Sequence, residues 1–161
     1  MAQFTDQDTQ RLIAQLHRDE GKKVDRNGNH VAYPDSKDIL TIGYGHNCLS
    51  SPVPGVSKPG DTITDETANM LFERDLNAHI RETRKALPWV EDLDAVRQAV
   101  LYNMAFNLGV KGLCGFYNTL TAIRTGDYAS AARRMLVSKW ADDVKGRAVR
   151  LAKQMELGVW Q

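Results

Sequence analysis

The sequence predicts an α+β protein that is mostly α. It should have a small N-terminal lobe with a three-stranded antiparallel sheet, one long connecting helix, and an all-α C-terminal lobe. Three observations predict this. Strand-like runs and turn residues are confined to residues 22–63. Helical periodicity runs almost unbroken from 64 onward, and one further helical stretch precedes the strands. At 161 residues the chain suits one domain, 1–161, with a core large enough to divide into two lobes. The expected bounds are 1–63 for the front lobe, 64–87 for the connecting helix and 88–161 for the helical lobe.

Each element has a local reason. Residues 4–20 read as a first helix, because Leu12, Ile13 and Leu16 share an apolar face and Gly21 stops the run at a C′ position. In "KKVDRNGNHVAY" the pair Asn27-Gly28 signals a hairpin between short strands. "DILTIGYGH", 38–46, follows as a third strand carrying Ile39, Leu40, Ile42 and Tyr44. Residues 47–61 hold three prolines and two glycines and read as a loop. Thr64 caps the long helix, with Asp65 and Glu66 in the first turn, where the macrodipole favours acids. Met70, Leu71, Leu76 and Ile80 supply its apolar positions, and it stops before Pro88. Four helices follow: about 93–108 ending at Gly109, 115–125 ending at Gly126, 127–137 and 145–157. Met104 and Leu108 are expected in the core.

Composition narrows the function classes. No apolar run approaches the roughly 18 residues of a membrane span, so no stable membrane association is expected. The N-terminal "MAQFTDQDTQRLIAQLHRDEG" lacks a basic region followed by an apolar one, which predicts no secretory signal and a cytoplasmic site of synthesis. Cys48 and Cys114 form no CxxC pair and read as two free thiols. The net charge of +1 conceals an asymmetry: residues 1–94 carry 11 Lys/Arg against 16 Asp/Glu, and residues 95–161 carry 10 against 4. A basic back half suits an anionic partner, either nucleic acid or a cell-wall polymer, unless it is simply a solvated face. No recognition-helix motif or aromatic stacking platform accompanies Arg133, Arg134, Lys139, Lys145, Arg147, Arg150 and Lys153, so no nucleic-acid partner is expected.

Two carboxylates carry the chemistry. Glu20 continues the face of Leu12 and Leu16 and sits in the last helical turn, facing the negative end of the macrodipole. Both effects favour the protonated form a general acid needs. A helix-end Glu swung into water is the plain alternative. Asp35, in "AYPDSKD", stands in a turn that predicts a hydrated, ionised carboxylate; Asp25 and Asp38 are its neighbours of similar setting. A buried acid facing a solvated carboxylate across a cleft, with roughly 6.5–9.5 Å between them, is the arrangement of inverting glycoside hydrolysis. No cofactor is expected, because Gly43-Tyr44-Gly45 lacks both the third glycine of a dinucleotide fingerprint and the Gly-Lys-Ser/Thr of a P-loop. No metal is expected either, since His46 has no second His at ligand spacing.

The segments "LHRDEG" (16–21), "DSKDILTIGYGH" (35–46), "LFERDL" (71–76), "DAVRQAVLYNMAFNLGVKGLCGF" (94–116) and "SKWADDVKGRAVR" (138–150) together resemble the lysozymes of tailed phages, the T-even endolysin type. The resemblance covers nearly the whole chain in order. It implies a lysozyme-like fold and a monomeric muramidase that hydrolyses peptidoglycan with inversion. The enzyme would wait in the host cytoplasm until released onto the wall in the periplasm. By this resemblance Glu20 is the general acid, Asp35 activates water, and Thr41 positions that water. Arg147 resembles an arginine that pairs with the catalytic Glu, and His46 with Asp75 resembles a buried ion pair joining strand to long helix. Substrate contacts are implied for Asn103, Phe106, Asn107, Gly112 and Trp140; Phe106 and Trp140 can equally be core. The chain departs from the family in a longer connection, 14 residues, between Glu20 and Asp35, which fits an extended hairpin around Asn27-Gly28. A lytic transglycosylase on the same scaffold and a non-catalytic wall-binding module are the rival readings.

Overall fold

The computed structural model describes residues 3–161; the first two residues of the expected front lobe lie outside the described residues. The chain forms two compact units. One gathers the chain up to Ala14 together with His79–Gln161, and the other is Gln15–Ala78.

Helix α1 (Asp6–Asp19) begins with a reciprocal cap. The Thr5 N–H donates to Asp8 Oδ2 at 2.9 Å, and the Asp8 N–H donates to Thr5 Oγ1 at 3.2 Å. Leu12 and Leu16 are fully buried, while Ile13 is half-buried at the edge of the face. The Glu20 N–H still reaches Leu16 O at 2.7 Å. Gly21 does not adopt a left-handed φ, so the expected glycine cap is not what ends this helix. Instead the chain leaves as an extended segment held by the Val31 N–H, which donates to Lys23 O at 2.8 Å.

The Gln15–Ala78 unit holds five short strands: β1 (His30–Val31), β2 (Tyr33–Pro34), β3 (Leu40–Ile42), β4 (His46–Asn47) and β5 (Thr62–Ile63). β1 pairs antiparallel with β5, and β2-β3-β4 form a three-stranded antiparallel sheet. The three-stranded sheet is therefore present, but its strands differ from those expected. The run 38–46 is not one strand: the chain reverses through Gly43-Tyr44-Gly45, with φ 65° at Gly43 and 82° at Gly45, and returns as β4. Left-handed backbone at two glycines turns an apparently continuous strand into a hairpin. The Asn27-Gly28 hairpin forms, but its outer side is only a single bridge between Val24 and His30.

Ile42, Phe72, Leu76 and Ala68 pack the interior of this unit, and Val53 and Val56 tuck the 47–61 loop onto it. Helix α2 (Asp65–Ala86) starts where Thr64 Oγ1 accepts the Thr67 N–H at 3.1 Å. Met70, read as one of its apolar positions, is 65% exposed because it lies on the solvent side of the helix.

In the other unit a short 3₁₀ turn (Pro88–Asp92) leads to α3 (Ala95–Cys114), capped by Asp94. Gly109, expected to end this helix, is a kink with φ 75° and ψ 158°, and helical turns resume after it. Helices α4 (Tyr117–Arg124), α5 (Tyr128–Leu136) and α7 (Gly146–Leu157) lie close to where the sequence puts them, and α6 (Lys139–Val144) is an addition, capped by Ser138. α7 packs against α3, α5 and α6. Tyr102, Met104, Ile123, Met135, Leu151 and Met155 are buried in this core, whereas Leu108 is only half-buried beside the Gly109 kink.

Candidate active site

The expected site residues fall into two groups, one in each unit. In Gln15–Ala78, the β2–β3 hairpin presents Asp35 and Thr41. Asp35 opens the connecting turn: its N–H donates to Ile39 O at 2.9 Å, and its Oδ1 accepts the N–H groups of Lys37 at 2.8 Å and Ile39 at 2.9 Å. Two amide donors on one oxygen hold the carboxylate's orientation and leave Oδ2 directed elsewhere. Asp38, the neighbouring acid, occupies the left-handed position of the same turn with φ 62°. Asp25 plays the Asp35 part in the preceding hairpin, its Oδ1 accepting from Asn27 and Asn29 at 2.9 and 3.0 Å. The two turns are built alike, but only the second also carries Thr41.

Thr41 is 5% exposed, and its Oγ1 donates to Ile39 O at 2.9 Å. With the hydroxyl proton committed to a carbonyl, the oxygen lone pairs can accept a hydrogen from a water. Strand register puts Tyr33 directly opposite Thr41. Asp35 follows β2 two positions after Tyr33, and its N–H still bonds Ile39 O, so side-chain alternation carries it towards the face of Tyr33 and Thr41.

Tyr33 is the residue that sequence reasoning missed. Burial first, and then the negative charges of Glu20 and Asp35, push its phenol above the usual range. Both carboxylates therefore act on one phenol. Period-two spacing from Asp35 could have found it. Glu20, at the end of α1, is half-buried. A Cβ at Gly45 would lie 3.7 Å from Glu20 Oε2, an ordinary van der Waals contact.

Behind this face, His46 and Asp75 form an ion pair with Nδ1···Oδ2 at 2.6 Å. The hydrogen bond to Asp75 raises the His46 pKa above its ordinary value, against the opposing effect of burial. His17, also missed, stacks on Tyr44 with ring centroids 4.3 Å apart. Burial, and then the Lys22 charge, lower the His17 pKa.

In the helical unit, Asn103 and Arg147 are buried together. Asn103 Oδ1 accepts from Arg147 Nε at 3.0 Å and from Nη2 at 2.8 Å. Trp140 is 5% exposed and donates its indole N–H to Asn107 Oδ1 at 2.8 Å, its ring edge-on to Phe116. Phe106 is half-buried against His79, with centroids 5.5 Å apart. Gly112 is exposed on the turn after the kink. Asn107 is exposed as well.

The sequence profile of the family described as phage lysozyme matches residues 26–154, a span that includes Asp35, Thr41 and Arg147 and begins after Glu20. The chain is 33% identical over 159 residues to the pre-baseplate central spike protein Gp5 of Enterobacteria phage T4, covering 87% of this chain and 26% of that protein. The chain thus spans about a quarter of that relative's length. It is 28% identical over 162 residues to the probable T4-type lysozyme 1 of Dictyostelium discoideum, covering 89% of this chain and 92% of the other. It is 31% identical over 139 residues to the endolysin of Salmonella phage P22, covering 80% and 81%.

Proposed function

Because the chain belongs to the phage lysozyme family, we propose that it cleaves the β-1,4 bond between N-acetylmuramic acid and N-acetylglucosamine by inverting acid–base hydrolysis. At the coarser level it is a glycoside hydrolase with peptidoglycan as its substrate. Glu20 protonates the departing glycosidic oxygen. Asp35 Oδ2 takes a proton from water on the opposite sugar face, and Thr41 Oγ1 accepts the water's second hydrogen, aiming a lone pair at the anomeric carbon. His46 with Asp75 braces the strand behind Thr41. In the helical unit the exposed Asn107 and Gly112 and the half-buried Phe106 contact substrate, while the buried Trp140 and Arg147 hold Asn107 and Asn103 through hydrogen bonds.

One geometric observation supports the reading: two amide hydrogen bonds fix Asp35 at the end of the hairpin in which Thr41 lies opposite Tyr33 in register. The names of the relatives suggest different settings, a pre-baseplate central spike and an endolysin. We propose the lysis setting, that of the P22 endolysin, to which the chain is 31% identical over 80% of its length. The enzyme then acts as a monomer, accumulates in the host cytoplasm and reaches peptidoglycan on release. No helix among the described residues is long and apolar enough to cross a membrane.

Digestion of purified sacculi by wild type, Glu20→Gln and Asp35→Asn tests it, with product anomers followed by NMR and ends identified by mass spectrometry. Both variants should lose about 100-fold or more in turnover, and wild type should release the α-anomer first. Retained turnover in Glu20→Gln would sink the assignment. Anhydro-muramic ends would indicate a transglycosylase.

A further inference from the structure

We propose that the stack of His17 on Tyr44 is an acid-released latch, which at neutral pH holds the last turn of α1, and with it the Glu20 carboxylate, against the β3–β4 turn. Its effect on turnover rests on the glycosidase reading; the latch itself does not.

The stack is the centre of an aromatic cluster inside the Gln15–Ala78 unit. The His17 and Tyr44 rings are nearly parallel, 12° apart in plane, with centroids separated by 4.3 Å. Phe72, from α2, lies 4.6 Å from His17 and 5.4 Å from Tyr44, and His30, from β1, meets Tyr44 edge-on at 5.3 Å. Tyr44 stands between two glycines of left-handed φ, so its buried side chain anchors that turn. His17 precedes Glu20 by three positions on the last turn of α1. On the other side, a Cβ at Gly45 would come within 3.7 Å of Glu20 Oε2. The stack therefore joins the two segments that flank the proposed acid.

The neutral ring fits this cluster and the cation does not. His17 Nε2 is buried without a hydrogen-bond partner. A neutral imidazole can carry its one proton on Nδ1, but an imidazolium must also place one on Nε2, where no acceptor stands. Tyr44 already has the Lys22 ammonium 5.7 Å from its ring centre, so a charged His17 sets a second cation on the same ring. Asp65 and Glu73, both on α2, act in the opposite direction. Asp65 is engaged by His30, whose Nε2 lies 2.8 Å from its Oδ1, and both acids are exposed to screening by water. Burial first, and then Lys22, outweigh them and put the His17 pKa below its ordinary 6.5. A released ring meets no such opposition and binds a proton more readily. The stacked state is thus favoured in full above about pH 6.5 and is lost as pH falls through the folded value.

The test compares wild type with His17→Phe, which keeps an aromatic ring in the stack and cannot take a proton, from pH 7.5 to 4.5. The ratio of wild-type to variant turnover on sacculi should be constant near neutral pH and fall about fivefold or more by pH 4.5. The other histidines and the proposed catalytic carboxylates are common to both proteins and cancel in the ratio. Hydrogen exchange supplies a readout without cleavage. The Glu20 N–H, which donates to Leu16 O at 2.7 Å, should lose protection in wild type over the same window, while Leu101 and Met104, buried in α3, stay protected. Lys22→Gln removes one of the two cations and leaves His17 in place, so the midpoint should move to higher pH. Constant protection at Glu20, or loss that spreads equally to Leu101 and Met104, overturns the latch. So does a midpoint that does not rise in Lys22→Gln, or a flat turnover ratio while exchange at Glu20 quickens. Should His17→Phe fail to fold, wild type and Lys22→Gln carry the exchange test between them. If sacculi are cut at no pH, the glycosidase reading fails, and exchange alone decides the latch.

Discussion

The His46 ring is held between two acceptors: Nδ1 lies 2.6 Å from Asp75 Oδ2, and Nε2 lies 2.8 Å from Ser51 O. Neither a carboxylate nor a carbonyl can donate, so both ring nitrogens must carry protons for both bonds to form. The cation is favoured by Asp75 first and by Ser51, and opposed by burial and by the Arg74 charge. This joins β4 to α2 by an interaction that exists fully only with a charged ring.

Its contribution to stability therefore depends on pH with a definite sign. The folded pKa is raised above the ordinary 6.5, so the stabilisation is complete below about that pH and is lost as pH rises through the folded value. Urea unfolding of wild type and His46→Gln from pH 5 to 9 should give a gap of about 2 kcal/mol at the acid end, narrowing as pH increases. His17, whose shift has the opposite sign, is common to both proteins and cancels in the difference. A gap that widens with pH would mean that the ring is neutral in the folded state.

Asp35 has two separable jobs, holding its turn through Oδ1 and, in the proposed reaction, activating water through Oδ2. Asparagine can still accept the amide bonds from Lys37 and Ile39 but cannot take a proton. Asp35→Asn should stay within about 0.5 kcal/mol of wild-type stability while turnover falls. Asp35→Ala should lose a further 1–2 kcal/mol or so, because two amide donors are left without partners. Asp38→Gly should do the reverse, gaining up to about 1 kcal/mol by relieving the φ of 62° while keeping turnover. Inactivity of Asp38→Gly with intact folding would move the base to Asp38.

Local signals were legible and long-range pairing was not. Thr64 and Pro88 bracket α2 in the sequence because a cap and a breaker act on the residues beside them. Gly109 reads as a stop in the sequence because a kink and a terminus both call for a glycine at positive φ, and only the helical turns that resume after it distinguish them. The six residues of α6 are too few to display a period. Glu20, Asp35 and Thr41 could be named through their motif. The Tyr33–Thr41 register and the Asn103–Arg147 bond, spanning 44 residues, required knowledge of which strands and helices meet.

The two thiols should differ sharply in reactivity. Cys48 is 7% exposed and burial raises its pKa, whereas Cys114 is exposed, and both are free. Because the thiolate is the nucleophile, a disulfide reagent at pH 8 should label one thiol per folded chain promptly, identified as Cys114 by peptide mapping. Cys48 should react only at the rate of unfolding. Equal labelling of both would show that the β4 region opens readily in the native state.

Gly45 links backbone conformation to the proposed acid. Its φ of 82° disfavours any L side chain, and a Cβ would sit 3.7 Å from Glu20 Oε2. Gly28 has nearly the same φ, 81°, but a Cβ there meets nothing within 4 Å. Gly28→Ala thus measures backbone strain alone, about 1 kcal/mol, and Gly45→Ala measures the same strain plus a methyl group against the carboxylate. The two should melt at similar temperatures. Because 3.7 Å is an ordinary van der Waals distance, the methyl group calls for no shift of the carboxylate, and turnover per folded molecule should agree within about twofold between the two variants. A loss confined to Gly45→Ala would instead show that strain in this turn displaces the carboxylate, since small displacements of a proton donor have large kinetic consequences. Equal activity in both variants means that the proton donor keeps its place, and the Glu20→Gln digestion then shows whether that donor is Glu20.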